Sequence, residues 1–288
     1  NFKITNKKNI WSGNYFFDLY SRSHTPFSWH NPLFKIAKKK NIKAFSSVFD
    51  EKSLKFLQKI NNPIYKISSF ENTDFVLLEK VARTKKPIIL SVGLASLKEI
   101  EEGIKIIKKY GCGKFAILKC TSNYPANFKD LNLNTIIDLK RRFKCKVGFS
   151  DHSLGVAGGV AAAAIGADII EKHVSLNQKI GIDAKFSLEV KKLKDFVFMC
   201  KEAYQAKGKI FYGPTKNEIK TTKSIRTLYF NKDLIKGHKI NYSDITRKRP
   251  GLGEKIYKLK FIIGKKLKRN IKKGTPVKFS FIKYFYNR

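Results

Sequence analysis

Six short apolar runs rich in β-forming residues, each closing in polar side chains and separated by stretches with helical spacing, restrict this chain to few architectures. The runs cover residues 43–49, 64–70, 87–93, 115–121, 146–152 and 169–174. Between them, residues 97–110 put Ile100, Ile104 and Ile107 on one face with charges opposite, which predicts a helix. Residues 155–167 are small and apolar enough for a tightly packed one. Strand alternating with helix predicts a parallel sheet. The polar strand ends (Ser46 and Ser47, Ser68 and Ser69, Ser91, Thr121 and Ser122, Ser150 to His152, Lys172 and His173) fall at the carboxyl edge, where parallel α/β folds keep their sites. Six strands so equipped favour a TIM-type (β/α) barrel over an open sheet. Such a barrel has eight strands, and the first forty residues read as helix and loop, so the expectation is a barrel lacking its first two βα units.

After the last run, residues 188–207 read as a closing helix and residues 209–223, rich in Lys and Thr around Gly213 and Pro214, as a linker. Residues 224–288 are a different text of short strands and turns, with two similar turns at 233–237 and 270–274. The expected organisation is a barrel domain over 1–208, incomplete at its N-terminus, a linker over 209–223, and a small β-rich domain over 224–288.

Composition narrows the function. At 288 residues with 42% hydrophobic side chains spread along its length, the chain can bury a core and is not a disordered protein. No window approaches the roughly 18 apolar residues of a spanning helix, and no signal peptide opens the chain, so a cytoplasmic protein without membrane contact is expected. Four cysteines without a CxxC pair suit reduced structural thiols, not a disulfide framework or a cysteine zinc site. The net charge of +38 invites a nucleic-acid partner, but the lysines are dispersed, as at 38–40, 105–109 and 265–266. That pattern favours a solvated surface over a specific nucleic-acid face, with a basic nucleic-acid-binding protein as the reading from another class.

Candidate chemistry collects at the strand ends. His152 and His173 end consecutive strands, so their imidazoles either converge on a divalent cation or form a hydrogen-bonded pair lining a polar cavity. Asp151 and Glu171 either orient those rings or pair with a neighbouring lysine. Lys66 and Ser69, with Ser47 and Ser91 on flanking strands, form a cationic, hydroxyl-rich cluster suited to phosphate, although hydroxyls are common at strand ends. Glu71 and Asp183 are either polyol contacts or solvated loop acids. His24, Trp29 and His30 read as an aromatic helix start packed on the domain, and His238 as an exposed turn residue.

Taken together, five segments resemble the sialic acid synthase family, in order and over almost the whole chain. They are Lys66 to Glu71, Lys119 to Pro125, Gly148 to Ser153, Glu171 to His173, and Lys248 to Gly251. Leu19 and Tyr20, the stretch from Thr25 to His30, Phe70 beside Glu71, and Asp183 to Leu188 bring it nearest the pseudaminic acid branch. The resemblance implies a barrel joined to a C-terminal antifreeze-like (SAF) domain in a domain-swapped homodimer. It implies that phosphoenolpyruvate condenses with an open-chain acetamido sugar, a diacetamido-trideoxy-altrose, with water adding at the enol carbon and phosphate leaving by C–O cleavage. It further implies His152 and His173 as ligands of a Mn²⁺-type cation and, with Lys66, as the catalytic set. Lys66, Ser69 and Ser91, with Ser47 and Ser150, are implied as the phosphoenolpyruvate cradle. Glu71, Tyr124 and Asp183 are implied as sugar contacts, and Arg249 as the arginine that reaches an N-acetyl group across the dimer. The alternatives are a sialic or legionaminic acid synthase and an inactive relative or fragment. The family's opening βα units, with a Glu and an Asn-His pair, have no counterpart after Asn1, which implies a truncated chain that does not turn over as it stands. Val92 and Val190 replace a common Thr and Pro.

Overall fold

The computed structural model describes residues 2–7 and 10–283, so the end of the expected second domain at 284–288 lies outside the described residues. The chain divides into two compact units, Asn1–Gly208 and Lys209–Arg288. In the first, a short hairpin, with Ile4 N–H donating to the Asn14 carbonyl at 2.8 Å, leads into α1 (Phe16–Ser23) and α2 (Phe27–Lys39). There follow β1 (Ser46–Ser47), α3 (Glu51–Lys59), β2 (Tyr65–Ile67), α4 (Phe75–Arg83), β3 (Ile88–Ser91), α5 (Leu97–Tyr110) and β4 (Phe115–Cys120). Then come α6 (Asn134–Phe143), β5 (Lys146–Asp151), α7 (Ala157–Ala164) and β6 (Ile170–Lys172). All six strands are parallel and lie in chain order, each beside its predecessor.

The period of two along each strand sorts the side chains. Tyr65, Ile67, Leu90, Ile117, Val147 and Phe149 face the helices and pack on Leu54 and Leu57 of α3, Leu78 and Val81 of α4, Ile104 and Ile107 of α5, and Ile136 and Leu139 of α6. Helix starts are set by side chains: Asp50 with Ser53, and Ser96 with Glu99, form reciprocal capping boxes, and Asp74 accepts from the Leu77 N–H.

Two expectations need correction here. The closing helix does not begin at 188: Leu188 and Glu189 form a short strand, β8 (Leu188–Glu189), parallel to β7 (Val174–Ser175), and α8 spans only Leu193–Ala206. The reason is the backbone carbonyl of His173, which accepts from the Leu188 N–H at 2.8 Å and draws that segment into an extended pair. In the aromatic segment, His30 is buried against Phe27, Phe34 and Phe56, but Trp29 is 59% exposed and does not pack on the domain. No helix among the described residues is long and apolar enough to cross a membrane.

The second unit pairs β9 (Thr227–Phe230) antiparallel with β10 (Ile245–Lys248), and β11 (Lys266–Leu267) with β12 (Ile282–Lys283), around Leu228, Phe230, Ile240, Ile262, Leu267 and Val277. Its two similar turns bind each other. Leu234 and Ile271 exchange backbone hydrogen bonds at 2.9 and 2.8 Å, while Asp233 accepts from the Lys273 N–H at 2.6 Å and Asn270 from the Lys236 N–H at 2.7 Å. His238 is not a free turn residue: its Nε2 lies 2.8 Å from Oδ2 of the fully buried Asp244, which also accepts from the Asn241 N–H at 2.8 Å and pairs with Lys232 at 2.8 Å. Burial pushes the Asp244 carboxyl upward, but Lys232, the Asn241 amide and His238 together hold it below its ordinary value.

Asp244→Ala is therefore expected to cost the C-terminal unit about 1.5–3 kcal/mol, the range for hydrogen bonds to a charged group. Because the folded value is depressed, the native contribution is complete above the unfolded carboxylate value of about 3.9 and is lost as pH falls through the lower folded value. Amide exchange in the full chain checks this: protection should fall over 227–283 in the variant and stay unchanged over the six-stranded sheet.

Candidate active site

The sheet's second face is built from the same strands by the alternate residues. Register places Ser47 beside Lys66, Lys66 beside Ile89 (two residues before Ser91), Ser91 beside Leu118 (two before Cys120), Cys120 beside Ser150, and Ser150 beside Glu171. Five polar or ionisable groups and one thiol thus share a face, all toward the carboxyl ends of their strands.

Lys66 is 6% exposed, and its Nζ lies 3.6 Å from Oε1 of Glu171, which also accepts from the Ser150 hydroxyl at 2.6 Å. A buried ammonium held by one carboxylate at that distance and by the Ile67 carbonyl at 3.3 Å keeps one donor hydrogen for an anion. Beside it, the Ser91 hydroxyl is buried and has no hydrogen-bond partner, an arrangement that ordinarily marks a place for a ligand or water. Ser69, also buried, accepts from the Gly93 N–H at 3.1 Å. Position 93 has no room for a side chain, since a Cβ would fall 2.7 Å from Ser122 Oγ and 2.9 Å from Ser69 Oγ. The ends of β2, β3 and β4 close on one another through that glycine.

The histidines meet at the end of β5 and β6. Their ring centroids are 5.3 Å apart, and the Tyr124 ring lies 4.3 Å from His152 and 6.1 Å from His173. His152 Nδ1 is 3.0 Å from the Thr121 carbonyl, so that nitrogen carries the proton and Nε2 presents its lone pair. Burial, reinforced by the charge His152 carries when protonated and opposed by Glu171, lowers His173 to about 4, leaving it neutral near pH 7. For His152, burial is outweighed by Cys120 and the Thr121 carbonyl, which move it upward. Asp183 Oδ2 stands 3.6 Å from His173 Nδ1, and burial raises its carboxyl.

Two acids take the other of the roles considered for them. Asp151 and Glu171 do not touch the rings: Asp151 binds Lys172 at 2.9 Å, and Glu171 faces Lys66 and Ser150. Strand alternation turns Asp151 to the opposite face from His152, its neighbour in the chain, whereas Glu171 shares the site face with the rings and is engaged there by Lys66 and Ser150. At this site the carboxylate within ion-pair distance of an imidazole is that of Asp183.

Glu71 accepts from the Ser68 hydroxyl, and burial raises its carboxyl against the lowering charge of Lys66. Arg249, in the second unit, is exposed and donates through Nε to the Ser224 carbonyl.

Three side chains at this end were not singled out from sequence. Trp11 donates to the Ile182 carbonyl at 3.2 Å and packs 5.5 Å from Tyr124, a contact across more than a hundred residues that no local pattern announces. Phe186 lies 4.9 Å from His173 and 5.1 Å from Tyr124. Cys120, read as a structural thiol, sits on the polar face 3.8 Å from His152 Nδ1; burial raises its pKa, but His152, Ser69 and Ser122 bring it down to about 7. No group of three or more His, Cys, Asp or Glu placed to hold a metal occurs among the described residues.

Comparison with known proteins shows the family. The family profile described as NeuB matches residues 1–212, and that of the SAF domain matches residues 225–283. The pseudaminic acid synthase of Helicobacter pylori is 36% identical over 272 residues, spanning 93% of this chain and 79% of that protein. The N,N'-diacetyllegionaminic acid synthase of Campylobacter jejuni is 37% identical over 86% of this chain and 76% of its own length. Among solved structures, an N-acetylneuraminic acid synthetase from Leptospira borgpetersenii in complex with citrate superposes with a TM-score of 0.66 at 35% identity, covering 70% of each chain.

Proposed function

The chain belongs to the NeuB family, and from that premise we propose that it condenses phosphoenolpyruvate with a diacetamido-trideoxy-altrose to give a nonulosonic acid, as a pseudaminic acid synthase does. The observation that carries this is the convergence, at one end of a parallel sheet, of a buried ammonium (Lys66), an unpartnered buried hydroxyl (Ser91) and two imidazoles 5.3 Å apart. The six consecutive strands are read as part of an eight-stranded TIM-type barrel.

Lys66 Nζ and the hydroxyls of Ser69, Ser91, Ser47 and Ser150 hold the phosphate and carboxylate of phosphoenolpyruvate through charge-assisted hydrogen bonds. Glu71, Tyr124 and Asp183 hold the open-chain sugar, with the Tyr124, Trp11 and Phe186 rings walling the aldehyde from bulk water. The two imidazoles fit a Mn²⁺-type cation: one presents Nε2 because Nδ1 is engaged, the other is neutral, and further ligands would be water and substrate. Held there, the cation supplies Lewis acidity at the aldehyde oxygen. C3 of the enol phosphate bonds to the aldehyde carbon, water bonds to C2, and the C2–O bond to phosphate breaks. The sum is phosphoenolpyruvate, sugar and water giving product and phosphate. Lys66 balances charge gathering on the departing phosphate.

Arg249 is assigned to an N-acetyl group of sugar bound by the partner subunit in a domain-swapped homodimer. Arg249→Ala should weaken sugar binding about 10-fold or more while phosphoenolpyruvate binding stays within about twofold, in line with the loss of one charged hydrogen-bond donor. Equal losses for both substrates contradict the role. The sugar itself is tested by offering the altrose derivative, its legionaminic counterpart and N-acetylmannosamine in parallel and following phosphate. Turnover with the altrose derivative alone supports the reading; turnover with only one of the others moves the chain to that branch.

A further inference from the structure

On the face of the sheet turned away from the substrates, Lys172 and Asp151 form an ion pair at 2.9 Å with side chains 3% and 0% exposed. They are register partners at the tips of β6 and β5, one residue before His173 and His152. The pair is part of a bracket. Asp151 Oδ1 accepts from Ser153 N–H at 2.9 Å and from Ser153 Oγ at 2.6 Å, and Lys172 Nζ also donates to the Ser153 carbonyl. Lys172 therefore grips the residues on both sides of His152 from the strand that carries His173. The outer sides of the two tips are held separately, His152 carbonyl by the Ala126 N–H at 3.0 Å and His173 carbonyl by the Leu188 N–H at 2.8 Å. The bracket ties one tip to the other on this face, as the Ser150–Glu171 hydrogen bond does one position earlier on the site face.

We propose that Asp151 and Lys172 are positioning residues that fix the separation of the two histidine rings and so set the affinity of the site for a divalent cation. A buried pair is a weak way to gain stability, since well-packed apolar residues do as well, which makes a geometric role the better account of two charges kept here. The cation part rests on the proposed function; the ring geometry does not.

The test is Asp151→Asn/Lys172→Met in the full chain. Removing both charges together leaves no unpaired buried ion, so the fold is retained, whereas Lys172→Met alone would strand the carboxylate. In metal-free protein, a nuclear Overhauser contact between the His152 and His173 ring protons is expected in the parent and absent from the double variant. With Mn²⁺ alone as titrant, affinity is expected to fall about 10- to 100-fold, the range for residues that orient metal ligands. Gly158→Ala gives a second route that leaves both charges: its Cβ would fall 2.6 Å from Ser153 Oγ and 3.0 Å from Asp151 Oδ1, so it should shift the rings in the same sense. A ring contact that persists in both folded variants overturns the proposal, as does its absence from the parent. If the parent binds no Mn²⁺ but the ring contact is lost in the variants, the cation reading fails and the positioning role stands.

Discussion

Alanine at His152 or at His173 is expected to abolish metal-dependent phosphate release and to lower Mn²⁺ affinity by at least about 100-fold, because removing a ligand costs at least as much as disturbing a residue that orients one. Each position contributes for its own reason. His152 has Nδ1 committed to the Thr121 carbonyl at 3.0 Å, so only Nε2 can reach a cation. His173, held near 4, meets a cation near neutral pH with no proton to displace. The fold should survive, since neither ring belongs to the apolar core between sheet and helices. Calorimetric titration with Mn²⁺ and far-ultraviolet circular dichroism on both variants check the result. Full activity in both removes the metal assignment.

The second large effect concerns Lys66. Lys66→Met preserves the length and apolar stem of the side chain but takes away the buried ammonium, leaving Glu171 facing the site without its cation. Phosphoenolpyruvate affinity should fall about 100-fold or more, as expected when one partner of a buried charged contact is truncated. Mn²⁺ affinity should stay within about twofold. The split separates a cradle lysine from one that merely holds the sheet together, which would lower both along with thermal stability. Undiminished phosphoenolpyruvate binding would contradict the cradle.

Much of the first unit could be read because its information is local. The helix at 97–110 is announced by isoleucines at helical spacing, and the six strands by apolar runs closing in polar side chains. The site was legible to the extent that it lies on strand ends: Lys66, Ser91, Ser150 and the two histidines follow from period two and parallel register. What escaped depends on distant partners. Trp11 reaches the site through a hairpin at the start of the chain and a carbonyl at Ile182, and nothing near Trp11 encodes that. Leu188 looks helical beside its successors, but is extended because the His173 carbonyl is there to bind it. His238 looks like a turn residue until the turn brings Asp244 to it. Asp151 and Glu171 are legible as acids near histidines, but that each is taken by a lysine, Lys172 and Lys66, depends on partners brought in by neighbouring strands.

The central claim is that this end of the sheet joins phosphoenolpyruvate to an acetamido sugar with rupture of the C–O bond. It is tested most directly with phosphoenolpyruvate carrying ¹⁸O at the oxygen bridging carbon and phosphorus, the diacetamido-trideoxy-altrose and Mn²⁺, reading the released phosphate by ³¹P resonance. Sugar-dependent release of phosphate that retains the label is expected. Unlabelled phosphate, which would mean cleavage between phosphorus and oxygen, or release indifferent to the sugar, would contradict it.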